Sequence, residues 1–374
     1  MAVTSADDLP TDVHQHVGFV SVGPVRSTIE LVWGCVFTII ICTWNIQHLT
    51  IASPYKSAWR GMTRKIGWAL FTIIAPEYVS IQAINEYVGA RIQNREMRDL
   101  GLRWWTTKHS FFGNIGGYLL EYQNEGQIIV RFPEIEWLVT EKLLVLPEIA
   151  GWEIDGLARE DGFRKAVAVV QLIWFALQCI GRTVEGMESA LFEVVTLCFV
   201  TCTIVTLIFW WKKPAGVAIR RKISCPSISG EDIDRMLERT HGDRFKLIQE
   251  LQLRQKDNAD DHMNQYWIGI VFFLAGAVGV WHLAAWNYSF PSSVERILWR
   301  ASSITTVILP IIFFFTIIAE GKFDSLPLWI VVSFLMCTYI VARTYLVVET
   351  IISLRSAPSG IYERVRWSEF IPHV

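Results

Sequence analysis

The chain has 374 residues, of which 52% are hydrophobic and 19% charged, with a formal net charge of −2. Soluble domains run nearer a quarter charged. Here the deficit is concentrated in long stretches almost free of charge, which points to several membrane spans. The near-neutral balance excludes a bulk electrostatic pull toward nucleic acid, and no basic, aromatic-interleaved RNA-binding motif occurs.

Residues 1–26 carry Asp7, Asp8 and Asp12 and no apolar core. They read as an extracytoplasmic segment without a cleavable signal peptide. The first span, TM1, covers 27–49 around Thr28–Gln47, where only Glu30 is charged. Twenty helical residues reach about 30 Å, enough for the hydrocarbon core. Residues 50–164 read as cytoplasmic, with one apolar stretch, "WALFTIIAPEYVSIQAI" (Trp68–Ile84), interrupted by Pro76 and Glu77. Pro76 cannot donate to Thr72 and its ring crowds that carbonyl. A carboxylate near mid-bilayer costs about 3 kcal/mol on insertion scales. The region 66–88 is therefore expected to be a re-entrant or interfacial helix, broken at Pro76–Glu77.

TM2 and TM3 form a hairpin over 165–211, from Ala166–Ile180 and Ser189–Trp211. A cytoplasmic helical loop follows at 212–264. TM4, TM5 and TM6 occupy 265–352, and 353–374 is a C-terminal tail. The fold class is thus an all-α polytopic membrane protein with six transmembrane helices, a re-entrant or interfacial helix and two cytoplasmic helical loops. Charge supports the count of six, because 26 of the 34 Lys and Arg then fall in inner segments, as the positive-inside bias requires. Seven spans is the alternative, and it exposes only one short basic loop. Tryptophans such as Trp44, Trp210, Trp286 and Trp299 mark the two interfacial belts.

Within the first loop, Arg91–Trp105 reads as helix, Ile128–Phe132 as a short strand and Glu134–Leu146 as helix. "HSFFGNIGGYLL" (His109–Leu120) offers glycine amides and an imidazole. It lacks the preceding strand and the Lys–Ser/Thr pair of a phosphate loop, and an aromatic turn bent by glycine is the simpler reading. In the second loop Ser229 and Asp232 have capping-box spacing, and with a second helix at 244–256 they suggest a solvated helical hairpin. The seven cysteines show no CxxC spacing, so neither a disulfide framework nor a zinc site is supported. Cys198 and Cys202 share a helix face, as a soft-metal pair or as small packing residues. No metal, cofactor or catalytic motif is assigned.

Several fragments, "LVWGCVFTIIICTWNIQHL", "RKIGWALFTIIAPEYV", "WTTKHSFFGNIGGYLL", "QLIWFALQC…FWWKKP" and "ARTYLVVETIISLRSAPSGIYERVRWSEFIPHV", together resemble a large group of multi-pass integral membrane proteins of filamentous fungi. The resemblance runs from about residue 30 to the end. That group has no established biochemical activity, so the resemblance implies a class and a fungal source but no residue roles.

Depth gives the sharper signal. At about 1.5 Å per residue, His282 lies roughly 24 Å beyond Tyr266, and Arg343 is similarly placed beyond Pro327. Glu193 sits about 7 Å in from the outer turn. Arg182, Arg300, Glu30 and Glu349 also fall near outer ends, and Gln171, Gln178 and Arg182 share one helix face. Ionisable groups in lipid pair or face water. One reading is a network that pins the bundle. The other is a polar cavity in the outer third, with Arg343, Glu193, His282, Arg300 and Arg182 along a ligand or ion pathway. The function expected is solute or ion handling, or small-ligand sensing. The alternative is a membrane scaffold or sensor that binds a cytosolic protein through 212–264. Besides that partner, the lipid bilayer is the implied surrounding, in the plasma membrane or an endomembrane. Asn287-Tyr288-Ser289 is a glycosylation sequon in the short turn after TM4.

Overall fold

A computed structural model describes residues 16–17, 26–45, 58–123, 126–158, 161–217, 219–240, 276, 279–318 and 328–365. Most of the expected TM4 (266–286) and the helix at 244–256 lie outside these residues. The chain divides into two compact units. A mixed unit comprises Ile40–Val170 and Thr201–Ala275, and a helical unit comprises Met1–Ile39, Gln171–Val200 and Gly276–Val374.

The mixed unit opens with helices α2 (Ala58–Ile74) and α3 (Pro76–Asp99). They are separated at Ala75, whose φ of −135° and ψ of 68° leave the helical region. Pro76 takes the first position of α3, where its missing N–H costs nothing. Glu77 lies buried in the first turn of α3, where the helix dipole favours a carboxylate. The rings of Trp68, Phe71 and Tyr78 pack across the break, Phe71 and Tyr78 with centroids 5.2 Å apart. The two helices part at Ala75, and Pro76 and Glu77 form the first turn of the second.

Next come α4 (Thr107–Asn114), strands β2 (Tyr118–Tyr122) and β3 (Gly126–Val130), α5 (Phe132–Thr140) and α6 (Gly151–Leu157). Strand β4 (Arg221–Ser224) and helix α9 (230–240) belong to the same unit. The sheet order is β3-β2-β4, with β2–β3 antiparallel and β2–β4 parallel, Tyr118 opposite both Val130 and Arg221. The all-α expectation is therefore corrected: the chain is mostly helical but holds this sheet and a two-stranded pair, β1 (His16–Val17) with β5 (Ala357–Pro358). The first half of 212–264 is likewise no free helical hairpin. Ile223, Ile228, Ile233 and Met236 are buried with Trp105, Phe112, Tyr118, Leu120, Ile135 and Leu138 in one core. Each such side chain removed from water contributes about 1.5–3 kcal/mol, more than solvation of an exposed hairpin returns. The Ser229–Asp232 capping box is formed, with Ser229 N–H donating to Asp232 Oδ2 at 2.9 Å.

The glycines of "HSFFGNIGGYLL" end α4 and start β2. Gly116 has φ +78°, a conformation open to glycine. At Gly117 a Cβ would fall 2.5 Å from the Phe112 ring. The Gly117 carbonyl accepts from Arg221 N–H at 2.8 Å, so this turn is used by β4. His109 is buried. Its Nδ1 accepts from Thr106 N–H at 3.1 Å and its Nε2 lies 2.9 Å from the Ile149 carbonyl. That pattern fits the neutral Nε2–H tautomer, and burial holds the imidazole below its usual range.

The helical unit uses α1 (Thr28–Ile40, continued by a π turn over Ile41–Asn45), α7 (Asp161–Val184), α8 (Leu191–Trp210), α10 (Ser293–Ile318) and α11 (Leu328–Ile352). The unit holds α7 from Gln171 and α8 to Val200. Four helices are long and apolar enough to cross a membrane: Lys165–Val184, Leu191–Trp210, Ser293–Phe313 and Ile330–Arg355, with Thr28–Trp44 a shorter apolar helix. Their outward faces carry Trp33, Phe37, Ile173, Trp174, Ile180, Phe334 and Val341, which suits lipid and not water. These are the properties of an integral membrane protein. Where residues 279–283 pass α10, an added Cβ on Gly279 would meet Val307 at 2.8 Å and the Thr306 backbone at 3.0 Å, the close approach that small residues permit between membrane helices.

Candidate functional site

Arg182 ends α7 and Glu193 lies in the first turn of α8, both 2% exposed. Glu193 Oε2 accepts from Ala190 N–H at 2.9 Å, capping its own helix, and lies 3.7 Å from Arg182 Nε. Glu193 Oε1 accepts from Arg26 at 2.5 Å. The Arg182 guanidinium also donates to four carbonyls: Glu188 (2.6 Å), Glu363 (2.7 Å), Gly360 (3.0 Å) and Ile361 (3.1 Å). Three of those carbonyls belong to the C-terminal tail. A planar fork with five donors serves this role where a lysine would not.

Other contacts hold the same tail. Arg26 N–H donates to the Tyr362 carbonyl at 2.8 Å, Thr28 bonds the Tyr362 hydroxyl at 3.2 Å, and Arg364 reaches both oxygens of Glu30 at 3.0 and 3.1 Å. Strand β5 pairs Ala357 with Val17. At Gly360 a Cβ would stand 2.8 Å from a Glu188 carboxylate oxygen, so the tail lies tightly against the turn between α7 and α8.

Beside this clamp is a cleft of about 500 Å³ between α1, α7 and the tail. Arg26, Glu30, Arg182, Arg364, Gln171 and Gln178 supply its polar groups, and Trp33, Phe37, Trp174 and Phe175 its apolar walls. Gln171 donates to Thr38 at 3.0 Å and Thr38 to the Gly34 carbonyl at 2.8 Å. The shared face of Gln171, Gln178 and Arg182 read from the sequence thus opens onto a cavity.

The other expected site residues lie apart from its lining. Arg343 donates to His282 Nε2 at 3.3 Å, both being buried, and the His282 carbonyl accepts from Trp299 Nε1 at 3.1 Å. Arg300 donates twice to the Trp286 carbonyl and lies over its ring at 4.7 Å. Asn287 is exposed in the turn that follows Trp286. Pro76 and Glu77 belong to the mixed unit. Arg26, Arg364 and Tyr362 were not singled out by sequence. Their partners are backbone carbonyls and distant acids that no local spacing announces.

A second cavity, of about 1200 Å³, lies in the mixed unit. Among the described residues, six basic side chains line it (Arg91, Arg98, Arg103, Lys108, Lys165 and Lys212) against one carboxylate, Asp155. Lys108 occupies that carboxylate, bonding both oxygens at 2.7 Å. Lys165 donates to the Trp211 carbonyl at 2.9 Å. The signal available in the sequence was the i, i+7 spacing of Arg91 and Arg98 on one helix face.

Comparison with known proteins gives one positive finding. A model described as a family of unknown function matches residues 3–237 and 322–374. No curated protein and no solved structure matches the chain.

Proposed function

The chain belongs to the family of unknown function DUF8562, and from that premise we propose that it is a multi-pass membrane protein that receives a small amphipathic ligand in the cleft between α1 and α7. The role is ligand sensing or solute handling from the extracytoplasmic side. The observation that carries this reading is the double duty of Arg182, which lines the cleft and grips the tail carbonyls at 360, 361 and 363. A ligand that competes for the guanidinium frees the tail, and a ligand that braces it holds the tail down. Sensing is favoured over conduction because the charges of Arg182 and Glu193 are already engaged within the protein, whereas a permeation path keeps its charges facing water.

The test uses the protein from native membranes. Gly34 lines the cleft and a Cβ there meets nothing within 4 Å, so Gly34→Phe fills the cleft without displacing backbone. Native mass spectrometry of detergent-solubilised wild type should show a retained small molecule that Gly34→Phe loses at equal protein yield. Identical small-molecule profiles for the two proteins would sink the reading.

The alternative is a scaffold that binds a cytosolic protein through 212–264. It draws support from the charged outer face of α9, where Glu231, Asp234, Arg235, Glu238 and Arg239 are exposed. Charge-reversal at Glu231 and Asp234 should then release a partner captured by crosslinking in cells.

A further inference from the structure

We infer that the basic cavity of the mixed unit binds the phosphorylated polyol headgroup of an anionic phospholipid. This site is separate from the cleft at Arg182 and does not depend on it. Charge is the first argument. Among the described residues Asp155 is taken by Lys108, which leaves their part of the lining strongly cationic, and Arg98, Arg103 and Lys212 have no carboxylate partner. Clustered cations without counter-charges repel one another, and an anion carrying more than one charge relieves them. The second argument is an acceptor. Asn94 lines the same cavity, and its buried Oδ1 has no hydrogen-bond partner. A carbonyl oxygen needs a donor, which a phosphate group at neutral pH supplies poorly and a polyol hydroxyl supplies well.

The third argument is place. The cavity is walled by Ala166, Val169 and Val170, the opening turns of the membrane-crossing helix Lys165–Val184. Lys212 follows the end of the next one, Leu191–Trp210. The polar pocket thus grades into the apolar surface of a span, with Val170 68% exposed. That suits one molecule with a charged head and an acyl tail. Basic pockets at the ends of membrane helices on the cytoplasmic side are where anionic headgroups are held. The excess of Lys and Arg in these segments puts this end on that side.

The test is binding to the full chain in detergent, read by tryptophan fluorescence, since Trp105 and Trp211 line the cavity. The probes are dioctanoyl phosphatidylinositol bisphosphate, dioctanoyl phosphatidylcholine, and inositol trisphosphate without acyl chains. The bisphosphate lipid should bind, the choline lipid should not, and the soluble inositol phosphate should bind at least tenfold more weakly. The exposed triple variant Arg98→Gln, Arg103→Gln, Lys212→Gln should weaken lipid binding about a hundredfold, roughly fivefold per charge. A charge-matched control, Arg95→Gln, Lys222→Gln, Arg235→Gln, lies outside the cavity and should bind as wild type does. Equal binding of the soluble inositol phosphate would assign the cavity to a free phosphate ligand and overturn the lipid assignment. Binding of the choline lipid, equal loss in the control, or no binding of any probe would overturn the proposal altogether.

Discussion

Arg182 Nε lies 3.7 Å from Glu193 Oε2 with both side chains 2% exposed, and the pair closes the turn between α7 and α8 while holding the C-terminal tail. Removing Arg182 leaves Glu193 paired with Arg26 but strips four backbone carbonyls of their donor, at about 1–3 kcal/mol for each buried group left unsatisfied. Arg182→Leu should lower the melting temperature and open the tail to trypsin at Arg355 and Arg364. Arg182→Lys should behave almost as badly, because one ammonium cannot serve four carbonyls. Limited proteolysis followed by mass spectrometry checks both, and an unchanged cleavage pattern would count against the clamp.

The His282–Arg343 pair makes a prediction of a different form. Arg343→Leu alone should reduce the yield of folded protein severalfold, since leaving a buried polar group without its partner costs about 1–3 kcal/mol. His282→Phe combined with Arg343→Leu should recover the share of that yield that belongs to this pair, because apolar groups can replace a buried polar pair at little net cost. Fluorescence-detected size exclusion of the three variants measures it. Full yield of Arg343→Leu would instead show that the pair is dispensable for folding.

Gly279 and Gly34 form a contrast within one unit. An added methyl at Gly279 meets the Thr306 backbone at 3.0 Å and at Gly34 meets nothing. Gly279→Ala should destabilise by about 1–3 kcal/mol through overpacking. Gly34→Ala should stabilise by about 0.5–1 kcal/mol, the gain of alanine over glycine in a helix. Thermal unfolding in the same detergent compares them directly.

The buried imidazole of His109 sets a pH dependence. Its folded pKa is lowered, chiefly by burial, from a usual value of 6.5. The unfolded chain therefore takes up a proton first as pH falls. The stabilisation from neutral His109 is complete above about pH 6.5 and declines below it, down to the folded pKa. Protonation at Nδ1 would also set an N–H against the Thr106 N–H. His109→Gln should cost stability at pH 8 and show a shallower loss between pH 7 and 5 than wild type, as followed by melting temperature.

Topology around the helix break is open to chemical labelling. Trp59 and Arg95 are exposed near the far ends of α2 and α3. If this pair of helices enters and leaves the lipid on one side, cysteines at 59 and 95 should react with the same membrane-impermeant reagent. Reaction from opposite sides would show that this stretch crosses the bilayer.

The membrane helices were legible because a long apolar run is a local property, and hydropathy reads it directly. Pro76 was legible because a missing N–H acts on its own turn. The sheet was not. Strand β4 pairs with β2 across a great length of chain, and "RKIS" has no alternation that distinguishes it from a basic loop. Helix α9 read as solvated because its charges are conspicuous, while Ile233 and Met236 are only two buried positions on one face. The clamp was half visible: Arg182 and Glu193 stood out as ions in apolar surroundings. Most of the Arg182 bonds end on backbone carbonyls, which every residue possesses and no sequence pattern marks.

The parallel pairing of β4 with β2 has a consequence for biogenesis. Strand β2 leaves the ribosome before the α7–α8 hairpin and β4 after it, yet both belong to one sheet and one core. That core cannot close until the hairpin has been made and β4 has followed it. A nascent chain that has not yet reached β4 is left with the open edge of β2 and an incomplete apolar cluster, the kind of surface that sheet edges expose to aggregation. Completion of the three-stranded sheet thus waits on the segment that follows the hairpin.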